Sequence, residues 1–211
     1  MKSLMLMFQQ LSGKKRTRYV LCLDASSSMR AILEMFLTGW EESCERMIAK
    51  SVDLFRLVTF NSSRLEHTGS SYVEAGQLPI FSIDEYRQLT SGGTYLRDTF
   101  MWAIQECFAD HADAVRLLTD GWDRGESQET EFPELLQVLK EARAKQIDIF
   151  IVGFGTEQSY CKFRRFVESC ELKQGEWDFN VCEAGQVSLA NAARKSTMTL
   201  SSSMVQGTPA H

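Results

Sequence analysis

The sequence predicts a doubly wound α/β domain, with a mostly parallel central sheet, one antiparallel edge strand and helices on both faces. Three observations carry this. Near-continuous apolar runs, Tyr19 to Leu23, Val115 to Leu118 and Ile147 to Phe154, are what strands covered on both faces look like. Between them stand longer segments whose apolar residues recur at spacings of three and four, the helical period. The two kinds alternate along the chain, which is the pattern of parallel strands joined by crossover helices.

Taken in order, the first strand ends at Leu23 and hands over at Ser28 to a long helical stripe: Met29, Ile32, Leu33, Phe36, Leu37, Trp40, Cys44, Met47 and Ile48. Gly39 leaves open one bent helix or two. Leu54 to Phe60 reads as the second strand, with Asn61-Ser62-Ser63 as its turn. Residues 64–93 are polar and irregular, fit for a short edge strand or hairpin arm, and contain a helical segment, Ile83 to Leu89, with Ser82 as its cap. After Thr94, the residues Leu96, Phe100, Ala103, Ile104, Cys107 and Phe108 mark a helix. A strand ending at Asp120 follows, then an acidic loop from Asp123 to Glu131, then a helix from Phe132 to Lys145 with Pro133 tolerated in its first turn. The strand Ile147 to Phe154, a helix around Lys162 to Glu171, a last strand near Phe179 to Cys182 and a helix from Gln186 to Thr197 complete the alternation.

The chain of 211 residues is read as one domain, residues 17–198, with an N-terminal extension, 1–16, and a flexible tail, 199–211. Hydrophobic residues at 44% and charged ones at 24% are ordinary for a globular protein, so a packed core is expected rather than disorder. The formal net charge of −5 argues against a nucleic-acid binder, whose affinity comes from cations facing phosphates. Gly13 to Arg18 is locally basic and reads as a solvated lead-in to the first strand. No segment approaches the ~18 apolar residues of a membrane span. The opening Met1 to Phe8 is too short for a signal-peptide core and lacks a small-residue cleavage site, so Leu4, Phe8 and Leu11 read as one face of a short packing helix. The six cysteines form no C-x-x-C pair and sit in apolar patterns, which suggests a reducing, cytoplasmic setting, with Cys161 and Cys170 able to pair if the protein were secreted.

Three short stretches carry chemistry. Asp24-Ala25-Ser26-Ser27-Ser28 follows the first strand, Gly92-Gly93-Thr94 precedes a helix, and Thr119-Asp120-Gly121 follows Val115 to Leu118. In a parallel sheet, sites form just beyond the carboxyl ends of the strands, where Asp24 and Asp120 fall. Two carboxylates and the hydroxyls of Ser26, Ser28 and Thr94 are hard oxygen donors. They suit a small divalent cation, whose shell of about six positions they would leave partly open for a partner.

At these residues the chain resembles the von Willebrand factor type A family, a Rossmann-like fold with a metal-ion-dependent adhesion site. The family carries D-x-S-x-S, a threonine in a Gly-Gly-Thr loop and an aspartate in a Thr-Asp-Gly turn. The resemblance implies a Mg²⁺ or Mn²⁺ cofactor held by Asp24, Ser26, Ser28, Thr94 and Asp120. Ser26 and Ser28 would be direct ligands, and Thr94 the ligand whose distance changes on docking. A partner protein's Asp or Glu would complete the shell, with movement of the last helix, Gln186 to Thr197. Ser27 departs from the glycine many members have there, which costs no ligand. Tyr95, Arg97 and Trp122 adjoin these loops and are expected on the partner-binding rim.

An enzymatic reading has less support. A Mg²⁺-dependent phosphohydrolase of the haloacid-dehalogenase type also places an aspartate after its first strand, but needs a second carboxylate two residues on, where this chain has Ser26. Gly153-Phe154-Gly155 lacks the third glycine of a dinucleotide loop, no G-x-S-x-G elbow occurs, and His67, His111 and His211 sit in polar loops or the tail. Binding, not catalysis, is the expectation. Partner identity and oligomeric state are not read from the sequence.

Overall fold

A computed structural model describes residues 16–50, 53–121 and 132–181. Strands β1 (Arg18–Asp24), β2 (Leu54–Phe60), β3 (Arg64–Glu66), β4 (Val73–Glu74), β5 (Ala114–Thr119), β6 (Asp148–Gly155) and β7 (Trp177–Val181) form one sheet in the order β3-β2-β1-β5-β6-β7, with β4 also on β2. The pairs β2–β1, β1–β5, β5–β6 and β6–β7 are parallel. The antiparallel edge is two short pieces, β3 and β4, laid along one side of β2, where the sequence led us to expect a single strand. Polar residues 67–72 interrupt it, and Gly69 lies at a φ of +60° between the pieces.

Alternate residues of β1 divide between two cores, as the period of a strand requires. Tyr19, Leu21 and Leu23 face helices α1 (Leu33–Lys50) and α2 (Ile83–Leu89), with Phe36, Trp40 and Tyr86 packed among them. Val20 and Cys22 face α3 (Leu96–Asp110), α4 (Pro133–Ala144) and α5 (Glu157–Ser169), through Phe100, Leu139 and Phe163. Helices therefore cover both faces, as the apolar runs predicted. The chain runs through Gly39 in one continuous helix, preceded by a 3-10 turn, Ser27–Ala31. Ile48, expected on the buried stripe, is 53% exposed. Its neighbour Met47 is fully buried, so the stripe ends at Met47 and Ile48 falls past its edge.

Helix α5 begins at Glu157, five residues before the expected start, because Thr156 caps it by accepting a hydrogen bond from the Ser159 amide at 3.3 Å. Ser82 caps α2 as predicted, in a reciprocal pair with Glu85. Among the described residues Cys161 is exposed, Cys170 is buried, and no disulfide joins them. The extension 1–15, the acidic loop, Cys182, the helix expected at 186–197 and the tail lie outside the described residues.

Two central positions break the apolar pattern. Arg116 in β5 is fully buried, flanked by the rings of Tyr19 and Phe150, and its guanidinium donates to the carboxylate and carbonyl of Asp148. Asp148 begins β6, so this charge pair closes the end of the sheet opposite the carboxyl ends of the strands. Gly153 in β6 has no room for a side chain, since a Cβ there would meet the Phe179 ring and come within 2.8 Å of the Phe163 ring. It belongs to ring packing, not to a nucleotide loop. Gly153→Ala is expected to lower stability by ~1–3 kcal/mol through overpacking, measured by urea unfolding. An unaltered midpoint would show that the rings have slack.

Candidate functional site at the sheet edge

Strand order reverses between β1 and β5, and the three stretches singled out in the sequence meet at that crevice. Asp24, the last residue of β1, is fully buried. Its Oδ1 accepts a hydrogen bond from the Ser26 amide at 2.8 Å, and its Oδ2 accepts one from the Thr119 hydroxyl at 2.7 Å across the crevice. The Thr119 Oγ1 in turn accepts from the Gly121 amide at 3.0 Å, which sets the turn around Asp120. Gly121 has φ of +82°, and a Cβ there would come within 2.7 Å of the Phe163 Cβ. The tight Thr-Asp-Gly turn therefore needs glycine on both counts.

Ser26 is the extended residue before the 3-10 turn, but its side chain does not cap that turn. Its hydroxyl lies 2.9 Å from that of Ser28 instead. The middle residue, Ser27, reaches sideways: its hydroxyl donates to the Gly92 carbonyl at 2.8 Å, while the Ser91 amide donates to the Ala25 carbonyl at 3.2 Å. These bonds tether the Gly92-Gly93-Thr94 loop to the first one and bring Thr94, 2% exposed, to the start of α3. Asp120 is 4% exposed, and Asp24 is its electrostatic neighbour. At the rim, Tyr95 is 44% exposed and Arg97 is half-buried, its guanidinium 4.1 Å from the centroid of the Phe132 ring. Trp122 lies outside the described residues.

Four residues that hold this edge together carried no role in the sequence reading. The Tyr86 hydroxyl donates to the Asp24 carbonyl at 2.9 Å from inside the core. Asn61 donates to the Leu89 carbonyl and the Ser91 hydroxyl, both at 3.1 Å, and its own carbonyl accepts from the Tyr95 amide at 3.1 Å. Arg30 donates to the hydroxyl and carbonyl of Thr90. Thr119 was in view inside the Thr-Asp-Gly turn, and Asn61 stands where a third parallel strand ends, which was the available signal. Nothing in the sequence marks Tyr86.

This geometry corrects the metal expectation. Among the described residues no three His, Cys, Asp or Glu side chains gather where a metal ion could be held. At this edge the acids are Asp24 and Asp120. Both oxygens of Asp24 already accept hydrogen bonds, and the Ser26 and Ser28 hydroxyls are engaged with each other. The complete adhesion site implied by the resemblance, the Mg²⁺ or Mn²⁺ cofactor and metal-dependent capture are therefore set aside, and the phosphohydrolase alternative with them.

Burial, and then the charge of Asp120, push the Asp24 carboxyl up from 3.8 to about 7, against hydrogen bonds from Thr119 and Ser26 that pull it down. Between 3.8 and about 7 the folded chain keeps a proton that the unfolded chain releases. The associated stability is full at the acid end and is lost as pH rises through about 7. Asp24→Asn is expected to flatten this decline in denaturant titrations run from mildly acidic to mildly alkaline pH. A slope equal to that of the parent chain would count against the raised Asp24 carboxyl as its source.

No protein-family model matches the sequence, and no curated protein does. Solved structures match in fold. The pilus adhesin SpaC from Lactobacillus rhamnosus GG, in an open conformation, superposes with a TM-score of 0.64 at 14% identity, over 92% of this chain and 30% of that one. The vWF domain of the type V pili tip protein Mfa5 from Porphyromonas gingivalis gives 0.61 at 11% identity, over 92% and 98%. The PilB minor pilin from Streptococcus sanguinis gives 0.59 at 11% identity, over 93% and 64%. The chain thus spans less than two thirds of SpaC and of PilB. At these identities the likeness is one of fold, a distant von Willebrand A-like domain. These neighbours are an adhesin and pilus components, and the chain shares their architecture. The cytoplasmic placement expected from the cysteines is corrected on the same ground, because the matching folds belong to pilus proteins.

Proposed function

We propose that this chain is a protein-interaction module that works without a metal and takes up its partner at the carboxyl edge of β1 and β5. The observation that carries the reading is the tethering of three separate loops into one hydroxyl-rich edge, braced from below by Thr119 and Tyr86. Nothing in the sheet's own packing requires Ser26, Ser28 and Thr94 to be polar at that point. The adhesin and pilin roles of structures sharing the fold support the assignment to binding. Among the described residues, no helix is long and apolar enough to cross a membrane.

The partner group that suits this edge is an Asp or Glu side chain. When the Ser26 hydroxyl donates to Ser28, the half-buried Ser28 keeps its own proton for a carboxylate, as does Tyr95 on the rim, with Thr94 behind them. With its carboxyl pushed up to about 7, Asp24 is only partly ionised near neutrality, so an arriving acid meets less than the two formal charges of Asp24 and Asp120. Short peptides identical except for a central Asp, Glu, Asn or Lys, assayed with chelator present, are expected to bind in the order acid above amide above Lys. Ser28→Ala is expected to cost about 1–2 kcal/mol, roughly ten-fold in affinity. Binding that requires added Mg²⁺, or that treats Asn and Asp alike in both parent and variant, would overturn the proposal.

A further inference from the structure

Among the described residues, the β2 side of the sheet ends on β3, Arg64–Glu66, with no strand paired beyond it. The bonds that frame β3 fix which of its backbone groups face out. The His67 amide donates to the Leu57 carbonyl and the Asn61 amide to the Ser63 carbonyl, both at 2.9 Å. Bonded pairs alternate with unbonded ones along an antiparallel ladder, so Leu65, opposite Thr59 and midway between those two pairs, turns its amide and carbonyl toward β2. Arg64 and Glu66 therefore turn theirs outward. Four backbone groups stand on this edge at the spacing a facing antiparallel strand uses.

The side chains match the backbone. All three residues are exposed. Arg64 and Glu66 share the α3 face of the sheet, where the Arg64 guanidinium lies 5.1 Å from the Trp102 ring centroid and the Glu66 Oε1 accepts from Arg56 at 2.8 Å. Each is held in place by one contact. Among the described residues no carboxylate pairs with Arg64, and the second oxygen of Glu66 accepts no hydrogen bond. Leu65 lies on the other face, 49% exposed. An edge guarded against pairing carries like charges or a charge turned inward. This one carries opposite charges on either side of an apolar centre.

We infer that this edge receives β3 of a second copy of the chain, running antiparallel and centred on Leu65. In that register Arg64 faces the second copy's Glu66, Glu66 faces its Arg64, and Leu65 meets Leu65. The pairs between positions 64 and 66 are the bonded ones, so four main-chain hydrogen bonds, two ion pairs and an apolar contact form together, and the surface is its own complement, as a two-fold axis requires. A strand of another sequence would take the same backbone bonds without the paired charges, which is what favours a second copy. The contact is short, so the association is weak and reversible. Antiparallel pairing turns the carboxyl edges of the two sheets to opposite sides, and the dimer presents two interaction edges facing apart. Its formation is independent of what those edges bind.

In analytical ultracentrifugation of the full chain, the average mass is expected to rise from that of one chain toward that of two as concentration goes from about 5 to about 500 μM. Amide exchange followed by NMR should slow with concentration at Arg64 and Glu66 and stay unaltered at Leu65. Arg64→Glu and Glu66→Lys, each checked for folding by melting, are each expected to weaken self-association about ten-fold, because each sets like charges opposite one another. Mixed in equal amounts they should associate as the parent does, since an Arg64→Glu copy facing a Glu66→Lys copy has opposite charges at both pairs. A monomer at every concentration, a dimer indifferent to both substitutions, or a mixture no stronger than either variant alone would each overturn the inference. A monomer that still binds acidic peptides would sink the dimer alone, and a dimer that binds none would sink only the reading of the carboxyl edge.

Discussion

The hydrogen bond from the Thr119 hydroxyl to the buried carboxyl of Asp24 is the contact on which the rest of this edge depends. It joins the carboxyl ends of two neighbouring parallel strands at the point where the sheet changes direction. A carboxyl group with no exposure to water is costly unless its oxygens are satisfied. Here one oxygen is satisfied from the strand across the crevice and the other by the amide two residues on. The same threonine receives the Gly121 amide, so the pose of Asp24 and the turn that carries Asp120 are set together. The proton held near neutral pH follows from this arrangement, because burial and a second acid act on the same group.

Around that contact, rigidity is supplied from the core and variability is left to the rim. Tyr86 belongs to a run of aromatic contacts from His67 through Phe81 to Phe36 and Phe154, with ring centroids 5.0 to 5.7 Å apart. Its hydroxyl is the one polar point of that run that the core aims at Asp24's carbonyl. Asn61 does comparable work from the end of β2, reaching the segment that leads to Thr94 by side chain and Tyr95 by backbone. The loops are therefore held by hydrogen bonds between and beneath them, and the exposed Tyr95 is presented outward. An interaction surface gains from such preorganisation, since fewer side chains and loops must be ordered on binding.

Much of the architecture was legible, for a physical reason visible in particular elements. A strand buried on both faces has to be apolar nearly throughout, so Tyr19 to Leu23 announced itself. A helix covering a sheet has to repeat its apolar residues at three and four, so α1 and α3 did too. Arg116 was hidden inside such a run because its compensation, the Asp148 carboxylate and two rings, comes from other strands. Gly153 resembled part of a loop motif because the Phe163 and Phe179 rings that exclude a side chain there arrive from α5 and β7. The divided antiparallel edge was blurred because strands of two and three residues are too short to show a period. At the site, the oxygen donors were found and their convergence was anticipated. The metal expected of them was not borne out, since among the described residues no three His, Cys, Asp or Glu side chains gather where an ion could be held.

By itself the sequence determined most of the strands and helices among the described residues, the faces they bury and three oxygen-bearing loops at strand ends, because periodicity is a local property of a chain. Only the tertiary structure decided what those loops can do. Asp24's partners lie 95 and 62 residues away, at Thr119 and Tyr86, and a hydrogen bond over such a separation leaves no local trace in composition or spacing.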